Sequence, residues 1–125
     1  MRDGLIFAAK RQAGGAASLK WEFPGGKLEA NETPEAALKR ELHEELEIEV
    51  TVGAKIGSYA TPVGKHLIHL ECFWCASNTT EIRLNNHVSA DWFKPEALNS
   101  LDWAQPDIPV VAIVVESLAR QNGGW

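Results

Sequence analysis

The sequence predicts an α/β (α+β) domain in which a mixed sheet lies between helices. Two observations lead to this prediction. Runs rich in aromatic and β-branched residues alternate with two segments whose apolar residues recur at helical spacing. The chain has 125 residues, of which 45% are apolar and 23% charged, as is typical of one globular domain with a single core. We therefore expect one domain, residues 1–125, with one active site.

The first half of the chain contains the clearest helix. A strand is expected at residues 5–10, followed by an extended WEF run and a Pro-Gly-Gly turn. Thr33 suits an N-cap, Pro34 suits the first helical position, and Glu35 suits the positive end of the helix dipole. The helix is expected to end near Leu46.

The second half alternates strand and helix patterns. Strands are expected at residues 49–59, 65–76 and 89–94, a short helix at 95–101 and an apolar-striped helix at 108–121. Cys72 and Cys75 fall in the second of these strands, where an odd offset directs two side chains to opposite faces. They are expected to be buried, reduced thiols rather than a metal or redox pair.

Composition argues against several classes of partner. No run approaches the roughly 18 apolar residues of a membrane span, and the N-terminus has no signal-peptide pattern, so we expect a cytoplasmic protein with no membrane partner. The formal net charge of −5 argues against a nucleic-acid-binding surface. A polyphosphate ligand would therefore need a cation between it and the protein.

Three glutamates of the first helix share one face. Glu41, Glu44 and Glu45 stand at i, i+3 and i+4, inside an arc of about 100° that adjoins the apolar leucine stripe. Like charges at these spacings repel, and anions near the helix end oppose the dipole. An ordinary solvated charged face is one interpretation; the other is a site for Mg²⁺ or Mn²⁺, which prefer converging oxygen ligands.

The helix and the turn before it resemble the signature of the Nudix family. The signature is G-x5-E-x7-R-E-U-x-E-E-x-G-U, with U aliphatic, and it is matched here by Gly26, Glu32, Arg40, Glu41, Leu42, Glu44, Glu45 and Ile48. The stretch WEFPGGKLEANETPEAALKRELHEEL looks like the MutT branch of that family, and the resemblance continues to PDIP near the last helix. It implies an α/β/α sandwich around a mixed sheet.

The resemblance also implies roles for individual residues. Glu44 and Glu45 would be direct metal ligands, and Glu41 would be a ligand or the base that activates water. The backbone carbonyl of Gly25 would be a further ligand. Arg40 would orient the glutamates, so the catalytic group would comprise Glu41, Glu44 and Arg40.

Four residues are candidates for contact with substrate. By position in the resemblance, Arg11 and Lys27 are candidate phosphate or base contacts, although each also fits a solvated surface charge. Asp107 either caps the last helix or reads the base. Trp103, in a loop, is the candidate for stacking on the base. The tryptophans in strand-like runs are expected in the core: Trp21, Trp74 and Trp92.

The sequence departs from its relatives at three places. Glu47 replaces the signature glycine, so the helix either runs on or contains a strained left-handed residue that costs roughly 1 kcal/mol. Asn86 stands where the MutT branch commonly has a metal-binding Glu, a role that Asp91 or His87 could take over. Relatives usually have another strand before the turn at which this sequence begins, so the sequence is either truncated or starts at a misassigned Met1. If that strand is absent, a sheet edge is exposed, which favours pairing with another chain; a monomer or a homodimer is expected.

The function implied by the resemblance is metal-dependent hydrolysis of a small nucleotide. The leading hypothesis is a nucleoside triphosphate pyrophosphohydrolase that acts on ordinary or damaged substrates, CTP-like or 8-oxo-dGTP-like, in nucleotide-pool sanitation and DNA repair. One alternative is a hydrolase of ADP-ribose or another nucleoside-diphosphate derivative. The other is a Nudix-shaped binding module without turnover.

Overall fold

The chain folds into strands and helices in the order expected from the sequence. The computed structural model describes residues 1, 4–14, 18–25, 31–79, 81–85 and 87–123. The strands are β1 (Ile6–Arg11), β2 (Trp21–Glu22), β3 (Thr51–Val63), β4 (His66–Ala76) and β5 (His87–Phe93). The helices are α1 (Pro34–Leu46), α2 (Ile108–Gly123) and two 3₁₀ helices at Pro95–Ser100 and Gln105–Asp107. Within these ranges, no helix is long and apolar enough to cross a membrane.

The described strands form two antiparallel sheets. In the first sheet β1 lies between β2 and β5, and in the second β3 pairs with β4. The α/β fold class is confirmed. A mixed sheet also implies parallel pairing, and among the described residues this is limited to an isolated bridge between Trp21 and Trp103. β3 and β4 are joined by a tight turn at Gly64, and parallel neighbours would need a long crossover instead.

The three-stranded sheet lies between the two helices. On one face, β1 packs against α1 through a cluster of buried side chains: Phe7, Ala9, Leu42, Leu46 and Ile48. On the other face, β1 packs against α2 and its preceding segment through a second cluster: Ile6, Ala8, Leu98, Trp103, Val110, Val111, Val114 and Leu118. Side chains from β3 and β4 extend the second cluster. Because residues alternate along β1, neighbouring side chains contact different helices, as a three-layer sandwich requires.

Helix α1 begins and ends as its sequence predicts. The Thr33 hydroxyl accepts a hydrogen bond from the Ala36 N–H at 3.2 Å, and Pro34 occupies the first turn. Leu42 and Leu46 are buried, and Leu38 packs beside them. The leucine stripe therefore fixes which side of α1 faces the sheet, and with it the direction of the glutamates.

The residue after α1, Glu47, adopts the left-handed conformation. Its φ is 54° and its ψ is 37°, and its N–H donates to the His43 carbonyl at 3.0 Å. The next N–H, of Ile48, donates to the Leu42 carbonyl at 3.2 Å. Of the two possibilities for the missing signature glycine, the strained left-handed residue is the one found.

Glu47→Gly is therefore expected to raise the free energy of unfolding by about 0.5–1 kcal/mol, because glycine has no Cβ to strain this conformation. The matched control is Glu47→Ala, which loses the same 3.5 Å ion pair with Arg83 but keeps a Cβ. Urea denaturation of the three proteins measures the difference. Equal stability of the glycine and alanine variants would contradict the prediction.

The two cysteines are free and half-buried. Cys72 packs against the α2-side core, and burial raises the pKa of its thiol to about 11. Burial also raises the pKa of Cys75. Thiols that stay protonated at neutral pH are poor nucleophiles and poor metal ligands. Both thiols are unpaired in the structure, and they are half-buried rather than fully buried as expected.

Candidate active site

The register of the first sheet brings three polar side chains to its α1 face. Ala9 of β1, buried against α1, pairs with Glu22 of β2. Arg11, at the end of β1, pairs with His87 of β5. Side chains directly opposite each other in an antiparallel pair lie on the same face of a sheet. Arg11, Glu22 and His87 therefore lie close together, on the side that α1 covers.

Glu22 contacts both of the other residues. Its Oε1 accepts a hydrogen bond from Arg11 Nη1 at 2.9 Å, and its Oε2 lies 2.7 Å from His87 Nε2. The side chain of His87 is only 2% exposed, whereas that of Arg11 is 47% exposed. Burial alone would raise the pKa of Glu22, but the hydrogen bonds with His87 and Arg11 outweigh it and lower the pKa. Glu22 is thus an ionised link between a surface cation and a buried imidazole.

Arg40 of α1 binds three carboxylates. Its Nε and Nη2 donate to the two oxygens of Glu32 at 2.6 and 3.0 Å. Its Nη1 donates to Glu41 Oε1 at 2.9 Å and to Glu44 Oε2 at 3.2 Å. A two-pronged guanidinium–carboxylate contact fixes orientation as well as distance. Arg40 is therefore anchored by Glu32 and holds two of the signature glutamates.

The three signature glutamates lie at different depths. The side chain of Glu41 is 17% exposed and that of Glu44 is 57% exposed. Glu45 is half-buried, and its Oε2 is fully buried. Burial raises the pKa of Glu45 to about 7; His87 opposes this rise, and Glu41 and Glu22 add to it. The acidic face therefore borders the core at Glu41 and Glu45, whereas Glu44 faces solvent.

Two buried side-chain atoms in the described part of the chain have no hydrogen-bond partner: Glu45 Oε2 and His87 Nδ1. A buried carboxylate oxygen without a partner is costly, and a bound cation would satisfy it. Carboxylates on the inner side of α1 have the chemistry that Mg²⁺ and Mn²⁺ prefer. The residues present therefore fit a divalent cation, although no three His, Cys, Asp or Glu side chains among those described already form a ligand set.

Gly25, whose carbonyl is an implied ligand, lies beside the same helix. A Cβ added to Gly25 would be 3.6 Å from Leu38 Cδ1. Gly25 thus lies beside the buried leucine side of α1. Three positions singled out in the sequence lie outside the described residues: Gly26, Lys27 and Asn86.

His87, rather than Asp91, lies at the site. Asp91 pairs with Ala8, whose side chain belongs to the α2-side core. Asp91 is therefore on the opposite face of the sheet from α1, and its Oδ1 accepts a hydrogen bond from the Trp92 N–H. Of the two residues considered as substitutes for a glutamate at position 86, only His87 is near the acidic side of α1.

Glu22 is the site residue that the sequence reasoning missed. It stands between Trp21 and Phe23, both of which pack against the α2-side core. Alternation along an extended segment then sends the middle side chain to the other face. The sequence did contain a sign of this role, namely a charged residue between two aromatic residues. A carboxylate directed into a domain needs a partner, which indicates a polar site.

Asp107 does not cap α2 as predicted. It is the last residue of the second 3₁₀ helix, which continues directly into α2, and it is 8% exposed. Its Oδ2 accepts a hydrogen bond from the Phe23 N–H at 2.7 Å. Burial raises the pKa of Asp107 to about 7, and the Phe23 bond opposes that rise. Of the two roles predicted for Asp107, the N-cap is not the one found, because the carboxylate ties α2 to the end of β2 instead, and base reading stays a prediction.

Trp103 does not offer the exposed ring that base stacking needs. It is 8% exposed, and its Nε1 donates to the Leu98 carbonyl at 2.7 Å. Its ring packs against Phe23, with centroids 4.7 Å apart. Loop composition predicted exposure, but the bridge to Trp21 draws this loop into the core. The core placement expected for the strand tryptophans is confirmed, because each packs against a cluster: Trp21, Trp74 and Trp92.

Known proteins are similar to this chain in sequence and in fold. The NUDIX domain model matches residues 1–112. A CTP pyrophosphohydrolase of Escherichia coli (strain K12) is 37% identical over 88% of this chain and 82% of its own length. An 8-oxo-dGTP diphosphatase of Proteus vulgaris is 59% identical over a shorter stretch, 37% of this chain and 41% of its own.

The fold of this chain is also found in a solved structure. The solution structure of the E. coli ORF135 protein superposes with a TM-score of 0.77 at 34% identity, covering 98% of this chain and 85% of that one. The match therefore extends over the whole arrangement of sheet, glutamate-bearing helix and final helix. With two of the signature glutamates held by Arg40 on the helix that covers the sheet, this chain belongs to the Nudix hydrolase family and is a MutT-like member of it.

Proposed function

We propose that this protein is a Mg²⁺-dependent nucleoside triphosphate pyrophosphohydrolase, with Mn²⁺ as a possible substitute. Its substrates would be CTP-like or 8-oxo-dGTP-like nucleotides, split into the monophosphate and pyrophosphate. The observation that carries the proposal is the arrangement on α1, where Arg40 fixes Glu41 beside the buried, unpartnered oxygen of Glu45. The relatives that match by sequence include a CTP pyrophosphohydrolase and an 8-oxo-dGTP diphosphatase, which supports this substrate class.

The carboxylates of Glu41 and Glu45 would hold the cation, with the Gly25 carbonyl and the outer Glu44 as further ligands. When bound, a divalent cation neutralises phosphate charge and lowers the pKa of water. Arg40 contributes by keeping the carboxylates in one orientation before substrate arrives, which avoids reorganisation during the reaction. Glu41, oriented by its hydrogen bond from Arg40, would be a ligand of the cation or the base that takes a proton from the attacking water.

Arg11 is a candidate contact for the phosphates. Its guanidinium is held by Glu22 on the α1 face of the sheet and remains 47% exposed. The chain has a net charge of −5, so it repels an anionic substrate. A positive group at this place would reduce the repulsion between the acidic helix and the phosphates. Glu22 thus orients Arg11 while leaving donor groups free for substrate.

The proposal is tested by incubating the protein and Mg²⁺ with CTP, dCTP, UTP, dUTP, 8-oxo-dGTP and ADP-ribose. Pyrophosphate and phosphate release are measured separately. Pyrophosphate from the triphosphates is the expected result. Cleavage of ADP-ribose alone would replace the proposal with a hydrolase of nucleoside-diphosphate derivatives, and binding without turnover of any compound would make the protein a binding module.

Asp107→Asn is expected to reduce the preference for CTP or dCTP over UTP or dUTP by about tenfold or more. Above its pKa of about 7, Asp107 is an ionised carboxylate that only accepts hydrogen bonds, so it suits the amino group of cytosine. An amide can also donate to the uracil oxygen, so the nucleotides are compared at pH 8 or higher. Asparagine keeps an oxygen for the Phe23 N–H, so the contact between α2 and β2 survives. The ratio of kcat/KM values across the four nucleotides measures the effect. An unchanged ratio would leave Asp107 with a structural role only.

A further inference from the structure

We propose that Asn85 is a positioning residue for the cation site, and that it acts by holding the last turn of α1. This turn carries Glu44 and Glu45, and Asn85 binds the backbone of both residues rather than their carboxylates. Asn85 lies 41 residues beyond Glu44 in the chain, outside the signature helix. The inference rests on the proposed metal-dependent function and adds to it a residue that controls where the ligands stand.

The last turn of α1 needs hydrogen-bond donors from outside the helix. The last four backbone carbonyls of an α-helix have no partner within it. In α1 the first of these, the carbonyl of His43, accepts from the N–H of Glu47, the residue that ends the helix. Three carbonyls then remain for other donors: those of Glu44, Glu45 and Leu46.

The short segment before β5 supplies all three donors. The Arg83 N–H donates to the Leu46 carbonyl at 3.0 Å. The Asn85 N–H donates to the Glu45 carbonyl at 3.1 Å. The side chain of Asn85 donates from Nδ2 to the Glu44 carbonyl at 2.8 Å. Asn85 therefore binds two successive residues of the turn at once, and its side-chain contact is the shortest of the three.

The turn that Asn85 holds is under electrostatic stress. Glu41, Glu44 and Glu45 repel one another at helical spacing, and anions near the C-terminus oppose the helix dipole. Arg40 orients the side chains of Glu41 and Glu44, whereas Asn85 holds the main chain that carries Glu44 and Glu45. Donors at the terminal carbonyls keep this turn closed before a cation arrives. The carboxylates are then in place for binding without further ordering.

The same stretch of chain also reaches the candidate phosphate contact. Two residues after Asn85, the Nε2 atom of His87 lies 2.7 Å from Glu22 Oε2, and Glu22 accepts a hydrogen bond from Arg11. The Cα atoms of Asn85 and His87 are at most about 7 Å apart, because only two residues of chain separate them. Asn85 is thus placed to fix the acidic turn relative to the group that orients Arg11.

The test measures Mn²⁺ binding to the full chain without nucleotide, by electron paramagnetic resonance of the free ion. We expect Asn85→Ala to weaken binding about fivefold or more, the size of one lost neutral hydrogen bond behind the ligands. Alanine keeps the N–H that binds Glu45 and adds no charge. The matched control is Asn99→Ala, an exposed asparagine of the 3₁₀ helix Pro95–Ser100 on the α2 side, which should bind Mn²⁺ as the wild type does.

Hydrogen exchange of the wild type tests the inference without any variant. Coupling between two equilibria is reciprocal, so a bound cation must favour the contacts that favour its binding. Saturating Mg²⁺ should therefore slow exchange of the Arg83 and Asn85 amide hydrogens about fivefold or more. The amide hydrogen of Ala97, which donates to the Lys94 carbonyl on the other side of the sheet, should be unaffected.

The outcomes separate this inference from the proposed function. Mn²⁺ affinity of Asn85→Ala within about twofold of the wild type would overturn the inference, even if the variant were less stable, and would leave Asn85 as a helix cap alone. Amide exchange at Arg83 and Asn85 that Mg²⁺ does not slow would overturn it as well. Either result leaves the proposed function intact, whereas a wild type that binds no Mn²⁺ overturns both.

Discussion

Glu45→Gln is expected to lower kcat by about 10³-fold or more, and the same loss is expected for Glu44→Gln. Each change removes a charge from the proposed cation site while keeping the size of the side chain. For Glu45 the effect should persist at high Mg²⁺ concentration, because its oxygen is inside the site rather than at its rim. Steady-state pyrophosphate release, with Mg²⁺ varied over several orders of magnitude, measures the loss.

The stability of the metal-free protein provides the control for Glu45→Gln. The folded-state pKa of Glu45 is raised to about 7 from 4.5, so ionisation destabilises the fold as pH rises through this interval. The neutral glutamine should therefore leave the free energy of unfolding at pH 8 unchanged or higher. Glu47→Gln, on an exposed residue of the same helix end, should retain turnover. Full activity of both Glu44→Gln and Glu45→Gln would exclude the proposed metal chemistry.

Arg40→Lys is expected to lower kcat by about 10²-fold, although the positive charge is retained. An ammonium group cannot make the paired contact with Glu32 and also reach Glu41 and Glu44, which the guanidinium does with three nitrogens. The glutamates would then lose their common orientation. Loss of the hydrogen bonds should also lower the free energy of unfolding by about 1–2 kcal/mol.

Arg83→Lys is the matched control for Arg40→Lys, since Arg83 makes one ion pair with Glu47 and its side chain is 72% exposed. It should change neither kcat nor stability measurably. If Arg40→Lys lowered stability without lowering kcat, Arg40 would serve the fold alone. If Arg40→Lys lowered neither kcat nor stability, the contacts of Arg40 with its three carboxylates would contribute nothing measurable to either.

The parts of the site that lie on one helix could be predicted from the sequence. Thr33 and Pro34 mark the start of α1, the leucine stripe marks its buried side, and helical geometry then fixes the direction of Glu41 and Glu45. These are local relations, set by 3.6 residues per turn. Even the missing glycine at Glu47 was informative, because only two conformations were open to that residue.

The parts that depend on pairing between distant segments were harder to predict. His87 reaches the site because β5 pairs with β1, and Glu22 because β2 pairs with β1, and no sequence pattern reveals such registers. Trp103 and Asp107 were misjudged for the same reason. Their loop looks exposed in the sequence, but contacts with Trp21 and Phe23 draw it into the core. Tertiary contacts override local composition at both positions.

In helix α1 a residue of the proposed cation site, Glu45, is directly followed by a core residue, Leu46. Leu46 is completely buried against the sheet, so the backbone at Glu45 cannot shift without disturbing the packing. The site and the hydrophobic interior therefore belong to one cooperative unit, in which partial opening and loss of function occur together. Amide hydrogens of the last turn of α1 should exchange only through global unfolding. Heat should then abolish turnover at the temperature at which the fold itself melts, with no inactive but folded state before it.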